Sequence, residues 1–139
     1  MNYRGYKELK CYTEARFLRM YISSLVQKFP AFEKYLLAGQ IIDSSRSITR
    51  NMAEGYGRYT YSDTRNFFII ARGSVTETME HLTTAFDEKY ITQDELRLGE
   101  QKCELVFKLT NGYISYLENL ALGTGSKRKP NSQSPIPNS

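Results

Sequence analysis

Histidine is almost missing from this 139-residue chain, in which His81 is the only one. That scarcity argues against a carboxylate-bridged metal centre of the kind helical bundles house, because such a centre takes Glu ligands plus two Glu-x-x-His pairs from facing helices. Glu77, Glu80 and His81 have no second histidine-bearing helix to complete a site. They read as surface charge, with Glu77 and His81 spaced for an i,i+4 contact. Nucleophilic catalysis is equally short of parts, since this one imidazole would have to serve as the base. The expectation is a non-enzymatic protein with no catalytic residue, no metal, no cofactor and no small-molecule substrate identified.

Cysteine is scarce as well, and both copies, Cys11 and Cys103, fall on apolar stripes. If the first and last helices are antiparallel neighbours, Cys11 lies level with about residue 110 and Cys103 sits about 10 Å away along the axis, too far for a disulfide. Reduced core thiols are expected. Long apolar runs are absent: none approaches the roughly 20 residues of a membrane span. The opening Met1-Asn2-Tyr3-Arg4-Gly5-Tyr6 lacks the apolar segment of a signal peptide, so a cytoplasmic protein without a membrane partner is expected. There is no run of β-branched alternation to suggest a sheet, and no internal repeat to suggest a solenoid.

Charge is present in quantity but unevenly placed. The net charge is +4, yet Lys127, Arg128 and Lys129 supply three of it, leaving +1 for residues 1–121. Residues 1–72 carry twelve Lys/Arg against six Asp/Glu, and residues 73–121 carry four against nine. This dipole suits either a phosphate-facing first half or the joining of the basic half of one copy to the acidic half of another.

Helical periodicity runs through most of the chain. Cys11, Ala15, Leu18, Ile22, Leu25 and Phe29 recur at four and three as a bundle seam requires, predicting a helix over about Tyr6 to Lys28. Phe17, Met20, Tyr21 and Val26 widen that stripe, which suggests more than one buried face. Pro30 separates it from a second helix, about Phe32 to Tyr56, carrying Ala38, Ile41, Ser45, Ile48 and Met52, with Leu37 and Ser44 beside the stripe. Gly55 and Gly57 offer the backbone freedom of a helix C-terminus. Ser62 is a plausible N-cap for a third helix reaching about Lys89, and Thr92 with Glu95 fits a capping box that opens a fourth near Gln93. From Leu122 onward Gly, Ser, Asn, Pro and three cations leave almost nothing to bury. The reading is all-α: an antiparallel up-down-up-down four-helix bundle over residues 1–121 and a disordered basic tail over 122–139.

Two clusters carry the functional reading. Ser47, Asn51 and Glu54 are spaced four and three along one face of the second helix, and Gly73, Ser74 and Glu77 on the third could meet them, so a hydrogen-bonded network fixing the register of the two helices is expected, with ligand contact as the alternative. Gly55-Tyr56-Gly57 is no phosphate loop, because it lacks a preceding strand and sits where the helix dipole repels anions. Arg46 and Arg50 share a face, Arg58 follows in the turn, and Arg65 and Arg72 lie two turns apart on the third helix. Five arginines could therefore line one side of the hairpin and grip phosphates, with Tyr56, Tyr59 and Tyr61 stacking on bases. The competing account pairs Arg50 with Glu54 and treats the tyrosines as interface residues.

Taken together, Phe29-Pro30, Glu33, Gln40, Ser47-Ile48, Asn51-Met52-Ala53-Glu54-Gly55, Gly57-Arg58, Ala71-Arg72-Gly73-Ser74 and Glu77 resemble the 23S rRNA intervening-sequence protein family over roughly residues 7 to 120. The resemblance implies a bacterial antiparallel four-helix bundle assembled as a ring-like pentamer, hence a homo-oligomer. The chain is also similar to the accessory variability determinant proteins of diversity-generating retroelements, basic pentamers that bind nucleic acid and a reverse transcriptase. It departs from the family at Ile41-Ile42-Asp43-Ser44, where a Leu-Arg-Arg-Ala sequence is frequent. The function expected is binding of structured RNA or a ribonucleoprotein through Arg46, Arg50, Arg58, Arg65 and Arg72. The alternative is a protein-interaction scaffold without nucleic-acid contact.

Overall fold

A computed structural model describes residues 5–123 and Lys129. Four α-helices, α1 (Lys10–Leu25), α2 (Leu37–Tyr56), α3 (Tyr61–Asp87) and α4 (Gln93–Gly123), pack α1 on α2, α2 on α3, α3 on α4 and α4 back on α1. That closed circuit of neighbours is the up-down-up-down bundle. Leu122 and Gly123, expected in the disordered tail, instead continue α4, which runs on past Leu120 and Ala121 packed against the core; the rest of that tail lies, apart from Lys129, outside the described residues.

The seam positions of the first helical pattern all turn inward: Cys11, Ala15, Leu18, Ile22, Leu25 and Phe29 are buried. They meet Ile41, Ile48 and Met52 from α2, Phe68, Ala71, Val75 and Leu82 from α3, and Val106, Ile114 and Leu117 from α4 in one core. Both cysteines are free and buried. Removal from water pushes the Cys11 and Cys103 thiols up to about 12, because burial penalises the thiolate. Polar links pin the helices in register: Arg19 donates to the Thr49 hydroxyl at 2.9 Å between α1 and α2, and the Tyr21 hydroxyl donates to the Glu95 carbonyl at 2.8 Å between α1 and α4.

The first two helices are shorter than periodicity predicts, for local reasons. A 3-10 turn at Tyr6–Glu8 is cut off from α1 by extended Leu9 (φ −68°, ψ 132°), whose side chain is buried in the core. A second 3-10 turn, Val26–Lys28, finishes α1. Past Pro30 the chain makes another 3-10 turn, Ala31–Glu33, and breaks again at Leu36 (φ −114°, ψ −112°). Glu33 accounts for that break. Its buried carboxylate accepts the Leu37 N–H at 3.1 Å and the Tyr90 hydroxyl at 2.7 Å, so it caps α2 and fastens it to the α3–α4 connection. The Tyr90 hydroxyl is pushed up to about 12, chiefly by that hydrogen bond to Glu33.

Helix caps follow the same logic with one shift. Thr60, and not Ser62, caps α3, its hydroxyl accepting the Asp63 N–H at 3.1 Å. Buried Tyr61 is thereby the first helical residue. At the far end Lys89 adopts φ 66°, and Tyr90 N–H returns to the Ala85 carbonyl at 2.9 Å. No glycine marks that turn, so its left-handed residue was not legible. The expected capping box is present: Thr92 N–H donates to the Glu95 carboxylate at 2.8 Å, and Glu95 N–H to the Thr92 hydroxyl at 3.1 Å. Lys28 pairs with Glu95 across the bundle and holds its carboxyl below the usual carboxylate range.

Candidate functional site

The polar cluster between α2 and α3 is a ladder of hydroxyls. Ser44 meets Thr78 at 2.8 Å, and Ser47 meets Ser74 at 2.8 Å. Asn51 donates to the Ser47 carbonyl at 2.8 Å and hydroxyl at 3.0 Å, while Thr78 donates to the Ser74 carbonyl at 2.8 Å. One end of the ladder is closed by Thr64, donating to the Gly55 carbonyl at 2.7 Å. Gly55 earns its place by close approach, since a Cβ there would stand 2.4 Å from the Cβ of Phe67.

The network therefore contains Ser47, Asn51 and Ser74 but not the other residues expected in it. Glu54 is exposed, and Glu77 is exposed with its carboxylate 3.4 Å from His81. Gly73 supplies no close packing: it faces outward, and a Cβ there would meet nothing within 4 Å. Gly57 ends α2 at φ −82°, a conformation open to any residue. Thr64 and Thr78 belong to the ladder and were missed. Their seven-residue spacings from Ala71, a core position, were the available signal.

The five arginines do not line one side of the hairpin. The α3 core stripe of Phe68, Ala71, Val75 and Leu82 sets that helix's rotation, and the residue following Ala71 then falls toward α4 while Ser74 falls toward α2. Accordingly Arg65 pairs with Glu118 of α4 at 2.5 Å, and Arg72 donates to the Asn111 side chain of α4 at 2.7 Å. Arg46 and Arg50 occupy the outward face of α2, and exposed Arg58 lies over the Phe67 ring at 5.2 Å. Among the described residues no ion pair joins Arg50 to Glu54. The tyrosines separate too, with Tyr56 and Tyr61 buried and the Tyr59 side chain exposed. Buried rings cannot stack on bases. Lys129 returns to this corner, its Nζ donating to the Tyr56 carbonyl at 2.9 Å and its N–H to the Tyr59 carbonyl at 3.1 Å. Burial lowers its amine to about 8.

A second surface was only partly legible. Phe17 and Met20 of α1 are 49% and 53% exposed, and Leu98 and Leu105 of α4 are 44% and 42% exposed. Leu98 and Leu105 each precede an inward residue, Gly99 and Val106, on the flank where Lys102 of α4 lies over the Tyr21 ring at 5.6 Å. Phe17 is one turn from Tyr21 on the matching flank of α1. Phe17, Leu98 and Leu105 thus form an apolar seam on the outer side of the α1–α4 pair, while Met20, two residues from both Leu18 and Ile22 of the core stripe, points directly outward from α1.

Among the described residues no group of three or more His, Cys, Asp or Glu is arranged to hold a metal ion, and no helix is long and apolar enough to cross a membrane. The family model described as 23S rRNA-intervening sequence protein matches residues 7–112. The crystal structure of a protein with unknown function from the S23 ribosomal protein family of Bacteroides thetaiotaomicron VPI-5482 superposes with a TM-score of 0.69 at 22% identity, over 75% of this chain and 97% of that one. At that identity the likeness shows the fold. No curated protein matches the chain.

Proposed function

The chain belongs to the 23S rRNA-intervening sequence protein family, and we propose that it acts in the cytoplasm as a non-enzymatic homo-oligomer that binds structured RNA or a ribonucleoprotein through Arg46, Arg50 and Arg58. One observation carries this reading: those three arginines are exposed and have no acidic partner among the described residues. A guanidinium free of carboxylates keeps its charge and its planar fork for phosphate. Arg65 is neutralised by Glu118, and Arg72 is turned toward α4, so neither belongs to the contact.

Self-association is supported by the α1–α4 seam. Phe and Leu side chains left exposed on one flank are the composition of subunit interfaces. The ring-like pentamer implied by the family resemblance is the assembly we assign to it.

The test is binding to a structured 23S rRNA fragment across a salt series. Each phosphate contact contributes roughly 0.7 to 0.9 to the slope of log affinity against log salt, so replacing all three arginines with alanine should flatten it by about two to three. R65A should leave the slope alone. Affinity that ignores salt, or that survives the triple substitution, overturns the RNA reading. The apolar seam favours a second reading, a protein-interaction scaffold without nucleic-acid contact; an intact oligomer that binds no RNA at any salt concentration selects it.

A further inference from the structure

Arg72, released from the RNA surface, sits at the edge of a different feature. On their outer side α3 and α4 leave a groove of about 480 Å³, lined by Thr76, Met79, Glu104, Phe107, Lys108 and Asn111. Its volume falls within the range of small-molecule sites, which combine an apolar lining with a few placed polar groups. Met79 and Phe107 provide the apolar floor, one a flexible thioether and the other a flat ring.

The polar group is unusually well placed. The Arg72 guanidinium lies 6.0 Å from the Phe107 ring centroid, and its Nη1 donates to Asn111 Oδ1 at 2.7 Å. Both contacts orient the fork, and both partners are neutral. Arg65, two turns earlier on the same flank of α3, is neutralised instead by Glu118. Arg72 therefore keeps a full positive charge and unused N–H donors in a fixed orientation at the lip of an apolar groove. Exposed Lys108 adds a second cation on the rim, while Glu104, also on the rim, disfavours a ligand with a second negative charge.

We infer that this groove binds a small organic monocarboxylate with an apolar body, its carboxylate on Arg72 and its hydrocarbon or aromatic part across Met79 and Phe107. A carboxylate takes the guanidinium in paired hydrogen bonds, and the apolar part removes Met79 and Phe107 surface from water. This inference is independent of RNA contact, which uses other arginines.

Isothermal titration of the full chain with 4-phenylbutyrate, compared with the uncharged 4-phenylbutanol, tests it. The acid should bind saturably at one per chain, and the alcohol should bind about tenfold more weakly or worse, as loss of a charge-assisted hydrogen bond requires. R72Q should weaken the acid by a similar factor, with helical circular dichroism unchanged, and R65Q should leave it as it was. Equal binding of acid and alcohol, non-saturable binding, or R72Q binding like wild type overturns the inference. So does a wild-type oligomer that ignores the acid while M79E disperses it, because a second copy would then occupy the groove.

Discussion

The Ser47 and Ser74 hydroxyls meet at 2.8 Å across the α2–α3 interface, and Asn51 donates to the same Ser47 oxygen at 3.0 Å. Half-buried Ser47 and buried Ser74 thus satisfy one another in a place where water has little access. The contact works as a register pin: sliding one helix past the other by a turn would part the two hydroxyls and leave buried Ser74 without its partner, while Asn51, on the same helix as Ser47, would keep both of its bonds.

Removing one side of that pair should cost more than half of removing both. Ser47→Ala is expected to destabilise the chain by about 1–2 kcal/mol, since Ser74 and Asn51 each lose a partner, and Ser74→Ala by a similar amount. The double substitution should cost clearly less than the sum. Urea unfolding of the four chains measures the coupling; strict additivity would mean the hydroxyls do not act as a pair.

Two glycines should respond oppositely to alanine. At Gly55 a Cβ would stand 2.4 Å from Phe67 Cβ and 3.3 Å from the Thr64 carbonyl, so the helices must part and Gly55→Ala should cost about 1–3 kcal/mol. Gly73 meets nothing and is exposed within a helix, so Gly73→Ala should add up to about 1 kcal/mol from helix propensity. Thermal unfolding of both variants decides, and a stabilised Gly55→Ala would show that the contact is looser than drawn.

The α1–α4 seam should govern assembly and not folding. Phe17→Glu combined with Leu105→Glu places charges on residues about half exposed in the single chain. Sedimentation should show a smaller species, while helical content stays within error of wild type. An unchanged mass would move the subunit interface to another face.

Thiol chemistry should report the core. With Cys11 and Cys103 both raised to about 12 from an ordinary 9, almost no thiolate exists at pH 8, so a chromogenic disulfide reagent should label neither until urea unfolds the chain. The sign for stability follows from linkage. The folded state holds these protons more tightly, so their contribution is complete below about pH 9 and is lost as pH climbs toward about 12. Rapid labelling of the native chain at pH 8 would count against this burial.

Much of the bundle was readable from residue spacing. Cys11, Ala15, Leu18, Ile22, Leu25 and Phe29 are buried as their four-and-three repeat demands, and Thr92 with Glu95 makes the capping box that their identities announce. These are local matters, decided by a helix's own period and the donors of its first turn. Leu9 and Leu36 broke that pattern because each break depends on what distant residues require: Leu9 fills the core, and Glu33, four residues before Leu37, takes its N–H while holding Tyr90 from the far side of the chain.

The sequence by itself determined that this is a helical bundle with reduced core thiols, a polar patch on α2 and cations concentrated in its first half. Only the tertiary structure decided which of those cations share a surface. A helix's period says which residues share its face, but not how far the helix rolls against its neighbours. In this protein that roll is set by Phe68, Ala71, Val75 and Leu82 seeking the core. Their burial carries Arg65 and Arg72 to α4 and leaves Arg46 and Arg50 on the outward face of α2.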